Sequence, residues 1–373
     1  MKFLFVFGTR PEAIKMAPLV KAFQAEPTFE TKVCVTGQHR EMLDQVLEFF
    51  DIVPDFDLQL MSPNQTLFDI TTRALTGLQG VLKEFEADNI IVQGDTSTAF
   101  VGGLTGYYLQ KDVTHIEAGL RSHDLYSPWP EEGNRKLVGH IATYHFTPTS
   151  KATQHLKEEG ISKNVHQVGN TVIDALFLGL DMIKKRGEED FFTHFEGIDL
   201  NKRVILVTGH RRESLGEPFE NICRAIKEIA SQYPDVEVVY PVHLNPNVRK
   251  TVNAILDGID NVKLIEPLSY PYLIWLMEKS FFVLTDSGGI QEEAPSLGKP
   301  VLVMRDVTER MEGIEAGTAM LVGTDYDKIL GEAKRLLDDT EHYTAMAKAV
   351  NPYGDGTTSQ QVLQVLKSTY EQG

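Results

Sequence analysis

The segment Thr285-Asp-Ser-Gly-Gly-Ile-Gln-Glu-Glu-Ala294 follows directly on the apolar run Phe281-Phe-Val-Leu284. The pattern predicts that a buried strand ends here, that two glycines allow a tight turn, and that a helix begins at once. Because a helix N-terminus offers unpaired N–H groups and a partial positive charge, the turn predicts a phosphate site. Glu292 and Glu293, further along that helix, would reach the hydroxyls of an attached sugar. The segment lacks the G-x-G-x-x-G pattern, which indicates a nucleotide-diphosphate site other than an NAD site.

The same alternation of short apolar runs and amphipathic stretches continues along the chain. It predicts an α/β fold in which helices cover parallel sheets. A first series has predicted strands at residues 3–7, 32–36, 89–93, 114–116, 144–148 and 165–168, with helices at 11–24, 40–50, 67–86 and 98–110. The rhythm restarts with strands at 203–208, 236–240, 262–265, 281–285 and 300–304. A polar, charged stretch at 184–202 lies between the two series, and the domain boundary is expected near Gly169.

Composition limits the class of protein. The 373 residues, 42% of them hydrophobic, suffice for two domains with their own cores. A formal net charge of −17 argues against binding to nucleic acid or to anionic membranes, which needs a basic surface. The chain opens with a strand-like run and has no apolar run of membrane-spanning length, so we expect no signal peptide and a cytoplasmic location. The two cysteines and the histidine spacing match no metal-ligand pattern, so no metal site is expected.

Both series open with a similar turn. Phe7-Gly-Thr-Arg10 follows the first strand, and Thr208-Gly-His-Arg211 follows the first strand of the second series. Ligands of open α/β sheets bind where the strands end, so both cations are candidate ligand contacts. Gly-x-Arg twice could be a coincidence, but the third turn at Ser287-Gly-Gly289 weakens that explanation.

Six longer motifs stand in order along the chain. They are Phe7-Gly-Thr-Arg-Pro-Glu-Ala-Ile-Lys-Met-Ala-Pro18, Gln93-Gly-Asp-Thr-Ser-Thr98, His115-Ile-Glu-Ala-Gly-Leu-Arg121, Pro130-Glu-Glu-Gly-Asn-Arg135, Gly209-His-Arg-Arg-Glu213 and Asp286-Ser-Gly-Gly-Ile-Gln-Glu-Glu293. Together they resemble the non-hydrolysing UDP-N-acetylglucosamine 2-epimerases of bacteria, and the resemblance covers nearly the whole chain.

The resemblance implies a glycosyltransferase-B-like architecture, with two Rossmann-like domains of parallel sheets and a cleft between them. We therefore expect an N-terminal domain at 1–169 and a UDP-binding domain at 170–355. The amphipathic pattern at 359–372 predicts a C-terminal helix, which would pack back on the first domain as part of 356–373.

The resemblance also implies a reaction, the reversible epimerisation of UDP-GlcNAc to UDP-ManNAc at C2. UDP leaves by anti-elimination, 2-acetamidoglucal forms, and UDP adds back. Such a reaction needs a base, an acid and charge stabilisation for the departing diphosphate, but no cofactor. The family is usually homodimeric, and its product supplies bacterial cell-surface polysaccharide.

Three acidic residues, Asp95, Glu117 and Glu131, follow strands of the first series. The resemblance places them in the sugar pocket as candidates for proton transfer, with Glu117 as the favoured group and the other two sharing the remaining role. Neighbouring carboxylates would also raise one another's pKa. Asp95 could instead cap the helix that follows it. His210, whose imidazole titrates near neutral pH, is expected to assist the departing UDP.

The remaining site residues are also implied by the resemblance. Arg10, Lys15, Arg135 and Arg310 would contact the diphosphate, although Lys15 could simply lie on a solvated helix face. Ser287, Gly288 and Gly289 would bind phosphate, Glu293 the ribose, and Leu268 and Leu273 the uracil. This chain has Leu273 where many relatives have Phe, and Met311 where the family usually has Pro.

A second UDP-GlcNAc often activates bacterial members of the family. The corresponding positions here are Gln38, Glu41, Asn64, Glu131, Arg211 and His243. Asn64 stands where some members have Arg, so we expect activation by substrate to be present but weaker. Three alternative functions share the same motifs or fold, namely a hydrolysing epimerase that releases ManNAc and UDP, a glycosyltransferase of this architecture, and a non-catalytic sensor of nucleotide sugars.

Overall fold

The computed structural model describes residues 1–37, 40–62, 64–209 and 216–371. It divides the chain into two compact units. The first unit comprises Met1–Leu178 and Tyr353–Gly373, and the second comprises Gly179–Pro352. Each unit contains one parallel sheet with helices, which confirms the predicted fold class.

The first unit is built on a seven-stranded sheet. Its strands are β1 (Lys2–Phe7), β2 (Glu30–Val35), β3 (Phe56–Asp57), β4 (Asn89–Gln93), β5 (Asp112–Ile116), β6 (Tyr144–Thr147) and β7 (Val165–Gln167). The strand order is β3-β2-β1-β4-β5-β6-β7, and all neighbours are parallel. Its helices are α1 (Arg10–Gln24), α2 (Arg40–Phe49), α3 (Leu67–Glu84), α4 (Ser97–Tyr108), α5 (Glu131–Ile141), α6 (Ser150–Glu158) and α7 (Thr171–Arg186), of which α7 runs on into the second unit.

The last helix, α16 (Thr358–Glu371), also belongs to the first unit and packs against α1. The Tyr370 hydroxyl donates to Asp112 Oδ2 at 2.6 Å and accepts from Asn89 Nδ2 at 3.0 Å, and its ring lies 6.0 Å from that of Phe3. The residues that end the described chain therefore form part of the packing around β1, β4 and β5.

The second unit is built on a six-stranded sheet. Its strands are β8 (Arg203–Thr208), β9 (Val236–Pro241), β10 (Val262–Ile265), β11 (Phe282–Thr285), β12 (Val301–Val303) and β13 (Ala319–Leu321), in the parallel order β10-β9-β8-β11-β12-β13. Its helices are α8 (Glu189–His194), α9 (Glu217–Gln232), α10 (Pro246–Leu256), α11 (Tyr270–Lys279), α12 (Gly288–Glu293), α13 (Met311–Glu315), α14 (Tyr326–Asp338) and α15 (Thr340–Ala347).

All the predicted strands are present, and two additional strands, β3 and β13, were not predicted. These have only two and three residues, too few for an apolar run to stand out. The polar stretch between the two series contains the end of α7 and all of α8. Phe191 and Phe195 from this stretch stack on Trp275 at 5.7 and 5.3 Å between ring centroids, so it contributes to the packing of the second unit.

Parallel pairing brings the carboxyl ends of all strands of a sheet to one edge. The turns after β1, β4 and β5 therefore meet at one edge of the first sheet, and those after β8 and β11 at one edge of the second. Among the described residues, no helix combines the length and apolarity needed to cross a membrane.

Candidate functional site

Glu117 lies at the carboxyl end of β5 and is 8% exposed. Lys15 Nζ on α1 donates to both of its carboxylate oxygens, at 2.6 and 2.7 Å. Asn170 Nδ2 donates to Oε1 at 3.1 Å, and Gln93 Nε2, at the end of β4, donates to Oε2. Glu117 has a positive φ of 62°, which bulky residues rarely adopt. Backbone strain and three donor side chains thus fix one carboxylate at this edge.

His115 supports the neighbouring turn. Its Nε2 lies 2.8 Å from the carbonyl oxygen of Gly94, an acceptor, so Nε2 carries the proton. Burial lowers the pKa of His115 to about 4, which keeps the ring neutral near pH 7. Gly94 has a φ of 70°, and its amide donates to Ile116 O at 3.0 Å. These contacts hold the β4 turn beside Glu117, where a Cβ on Gly94 would lie 3.6 Å from Glu117 Oε2.

Asp95, in that same turn, forms an ion pair with Arg135 at 2.6 Å. Arg135 also contacts Glu132 at 3.1 Å, and Glu132 is fully buried. Asp95 does not cap the following helix, because the side chain of Thr96 takes that role by accepting from Ala99 N. Glu117 and Asp95 are each paired with a separate cation, Lys15 and Arg135.

Glu12 connects the turn after β1 with the turn after β4. Its Oε2 accepts from Gly8 N at 3.1 Å and from both the amide and the hydroxyl of Thr9 at 2.8 Å. Its Oε1 accepts from the Thr96 hydroxyl at 2.6 Å. Burial raises the pKa of Glu12, while these four donors favour its charged form. One buried carboxylate thereby sets the spacing of two turns that carry predicted site residues, Arg10 and Asp95.

Arg10 and Glu131 occupy similar places in their helices. Arg10 is the first residue of α1 and Glu131 the first residue of α5, and both are half-buried. The structure thus brings Lys15 to Glu117 and Arg135 to Asp95, and it places Arg10 and Glu131 at the starts of helices that follow β1 and β5.

The turn after β11 in the second unit has the predicted form. Ser287 is the N-cap of α12, which begins at Gly288, and Ser287 N donates to the Thr285 hydroxyl at 2.9 Å. The guanidinium of Arg310 lies beside Gly288, where an added Cβ would stand 3.3 Å from the Arg310 Cζ atom. The amides of Gly288 and Gly289 belong to the first turn of α12, whose N–H groups have no partner within the helix.

Glu292 and Glu293 are both buried and have different partners. Arg310 Nε donates to Glu292 Oε1 at 2.8 Å, and Asn351 Nδ2 donates to the Glu292 carbonyl oxygen at 2.8 Å. The Tyr270 hydroxyl donates to Glu293 Oε1 at 2.9 Å. Glu292 therefore positions Arg310, and Glu293 is held from the start of α11.

The residues expected near uracil lie in the same part of the second unit. Leu268 is in the loop before α11 and Leu273 is in α11 itself, and both are half-buried.

The expected activator positions are distributed over both units. Glu41 on α2 and Asn64, which has a φ of 57°, are exposed in the first unit. His243, after β9, is exposed in the second unit, and its Nδ1 accepts from Asn245 N at 3.1 Å. Gln38, Arg211 and the catalytic candidate His210 lie outside the described residues.

Several residues of these sites were not predicted from sequence. Glu12 and Gln93 stand inside the quoted motifs, so a search for buried polar residues within those motifs would have found them. Glu132 neighbours a predicted residue. Asn170 and Tyr270 stand in no motif, and their roles depend on contacts with residues distant in the sequence, 53 positions away for Asn170 and 23 for Tyr270.

Comparison with known proteins shows the family to which the chain belongs. Residues 21–367 match the family model described as UDP-N-acetylglucosamine 2-epimerase. The UDP-N-acetylglucosamine 2-epimerase of Yersinia pestis is 56% identical over 371 residues, which cover 99% of each chain. The crystal structure of UDP-GlcNAc 2-epimerase from Neisseria meningitidis bound to UDP-GlcNAc is 49% identical, with a TM-score of 0.89 over 99% of this chain and 100% of that one. A co-structure of Staphylococcus aureus MnaA with UDP is 47% identical, with a TM-score of 0.85 over 99% and 97%. The chain therefore belongs to the UDP-N-acetylglucosamine 2-epimerase family of enzymes.

Proposed function

We propose that this enzyme epimerises UDP-GlcNAc to UDP-ManNAc, reversibly and without hydrolysis, by elimination and re-addition of UDP. The observation that carries the proposal is the carboxylate of Glu117, which Lys15 holds at 2.6 and 2.7 Å at the carboxyl edge of the first sheet. A nearby cation favours the charged carboxylate, the form that a base requires.

The bonds change in a balanced sequence. A carboxylate removes the C2 proton while the C1–O bond breaks, and the bonding electrons of C1–O leave with the diphosphate oxygen. The electrons of C2–H form the C1=C2 double bond of 2-acetamidoglucal. In the return step the diphosphate oxygen attacks C1, and a proton arrives at C2 on the opposite face. Two proton-transfer groups on opposite faces are therefore needed.

The three acidic residues of the first unit are the candidates for proton transfer. We assign one proton transfer to Glu117 and leave Asp95 and Glu131 as candidates for the other. Asp95 is held by Arg135 at 2.6 Å, so a cation fixes the position of its carboxylate. His210 stays a candidate for assisting the departure of UDP.

Binding of the nucleotide is assigned to the second unit. Arg310, held by Glu292 beside Gly288, and the amides of the Ser287–Gly289 turn present positive charge and N–H donors suited to a diphosphate. Glu293 would accept from the ribose hydroxyls, and Leu268 and Leu273 would pack on uracil. Arg10, Lys15 and Arg135 are proposed to stabilise charge on the diphosphate as it leaves.

Three finer assignments rest on family resemblance. We propose that the enzyme works as a homodimer in the cytoplasm and that a second UDP-GlcNAc activates it through Gln38, Glu41, Asn64, Glu131, Arg211 and His243. Initial rates decide the last assignment. A hyperbolic rate curve for UDP-GlcNAc, together with full reverse activity on UDP-ManNAc alone, would exclude activation by substrate.

Proton NMR tests the reaction directly. The purified protein is incubated with UDP-GlcNAc in D2O, with neither cofactor nor acceptor. We expect UDP-ManNAc to appear, with deuterium at C2 of both sugars. Accumulation of free ManNAc and UDP would instead indicate a hydrolysing epimerase, and substrate that keeps its C2 proton would indicate a transferase or a sensor.

A further inference from the structure

Asn170 stands in the turn between β7 and α7 and is 2% exposed. Its amide group has two described contacts: Nδ2 donates to Glu117 Oε1 at 3.1 Å, and Oδ1 accepts from Val172 N at 3.1 Å. A buried polar side chain thus connects the start of a helix to the proton-transfer carboxylate.

The orientation of this amide follows from its partners. Val172 offers a backbone N–H, which only the oxygen of the amide can accept. The nitrogen must then face Glu117, so Asn170 presents a donor to the carboxylate. Asparagine therefore suits this position, because a charged aspartate can only accept hydrogen bonds and could not donate to Glu117.

The backbone of Asn170 is fixed as well. Its N–H donates to the carbonyl oxygen of Tyr353 at 2.7 Å, in the segment that leads to α16. Gly169 has a φ of 99° and approaches that segment so closely that an added Cβ would lie 3.2 Å from Gly354 Cα. The Thr358 hydroxyl donates to Val168 O at 3.0 Å. Contacts on both sides of Asn170 therefore leave its side chain little freedom to move relative to β5.

We propose that Asn170 is a positioning residue for catalysis, which orients the carboxylate of Glu117 toward C2 and maintains its charged form by donating to Oε1. This inference rests on the proposed role of Glu117 in proton transfer. The elements around Glu117 carry charged and titratable groups that include Arg10, Glu12 and Lys15 on α1, Asp95 after β4, Asp112 and His115 on β5, Glu131, Glu132 and Arg135 on α5, and Asp174 on α7. Apart from Asn170, the described donors to the Glu117 carboxylate are Lys15 and Gln93, on α1 and β4.

The substitution Asn170→Asp separates the local structural role from the catalytic one. Aspartate still accepts from Val172 N, because Asp is as good as Asn at a helix start. It replaces the donor facing Glu117 with a negative charge, which disfavours the charged form of a neighbouring carboxylate. We expect the acidic limb of the kcat/KM profile to move up by about one pH unit, so that activity falls about tenfold at the acidic end and recovers at high pH.

The matched control is Asn164→Asp, the same change in the same unit at the opposite end of β7. Asn164 Nδ2 donates to the Thr143 carbonyl oxygen at 3.0 Å and makes no described contact with Glu117. The acidic limb of the kcat/KM profile of Asn164→Asp should lie at the same pH as in the wild type. An Asn170→Asp profile that is lowered equally at every pH, or is unchanged, overturns the proposal.

Two further variants complete the test. Asn170→Ser keeps a helix-capping oxygen but is too short to reach Glu117, so it should move the limb in the same direction by a smaller amount. It decides the matter if Asn170→Asp does not fold. Glu117→Gln tests the proposed function itself. If Glu117→Gln loses C2 deuterium exchange but the acidic limb of the kcat/KM profile stays in place in both Asn170 variants, only the role of Asn170 is refuted. If Glu117→Gln exchanges the C2 proton normally, the roles of both residues are refuted.

Discussion

Replacing Lys15 with methionine tests whether the lysine ammonium primarily serves the Glu117 carboxylate or the diphosphate. Lys15 Nζ contacts both oxygens of Glu117, and only 16% and 6% of the two side chains are exposed. Methionine retains the apolar stem and removes the charge. An opposite charge this close lowers the pKa of a carboxylate by about 1–3, which corresponds to about 1.4–4 kcal/mol in favour of the charged form. We expect the acidic limb of kcat/KM to move up within this range, with kcat affected more than KM.

Initial rates of UDP-ManNAc formation from about pH 5 to pH 9 measure the effect, since the limbs of kcat/KM report groups of the free enzyme. Lys21→Met is the matched control, because Lys21 lies on the same helix and its Nζ donates to the Asp51 carbonyl oxygen at 2.8 Å in an exposed setting. Its profile should match the wild type.

The opposite pattern would refute the reasoning. If Lys15→Met raises KM and weakens UDP binding while the acidic limb stays in place, the ammonium acts on the diphosphate and not on the carboxylate. The contact with Glu117 would then have no catalytic consequence.

Three other predictions concern Gly288, the two buried histidines His115 and His145, and Glu12. Gly288→Ala, whose Cβ would meet the Arg310 guanidinium at 3.3 Å, should weaken UDP binding by about tenfold in calorimetry, and Gly331→Ala, which meets no atom within 4 Å, should not. Burial lowers the pKa of His115 and of His145 to about 4, so the unfolded chain binds more protons than the folded chain as the pH falls from 6.5 toward 4. Denaturant unfolding should therefore show that the free energy of unfolding decreases by up to about 3 kcal/mol per histidine over this range. The substitution His145→Phe should make this decrease smaller. Burial raises the pKa of Glu12, so the folded wild type loses stability as the pH rises above about 4.5 through the folded pKa. The stability of Glu12→Gln relative to wild type should therefore increase from pH 5 to pH 8. If the two proteins differ in free energy of unfolding by the same amount at pH 5 and at pH 8, this reasoning is wrong.

The sequence predicts the positions of strand ends better than the contacts made there. Strands β4 and β8 stand out because they contain three and four consecutive apolar residues, and a glycine follows each strand. The same rule predicted the turn at Ser287 and the start of α12. These features depend on residues that are close together in the sequence, so short sequence patterns predict them.

Partners of charged groups could not be predicted in this way. Lys15 and Glu117 are 102 positions apart, and nothing in either motif indicates that the lysine contacts the carboxylate. Neither motif indicates the ion pair that Asp95 forms with Arg135 at 2.6 Å. Ion pairs of this kind depend on the register of parallel strands and on the helices between them, which place residues with no sequence relationship side by side.

The packing of α16 against α1 has a consequence for synthesis of the protein. Residues 179–352 form a continuous unit, so all of its sheet can assemble soon after these residues leave the ribosome. The first unit is made earlier but includes residues 353–371, and Tyr370 bonds to Asn89 and Asp112 of its sheet. The segment translated first therefore completes its fold last, and until then the surface of α1 and β1 that α16 covers is exposed to chaperones and proteases.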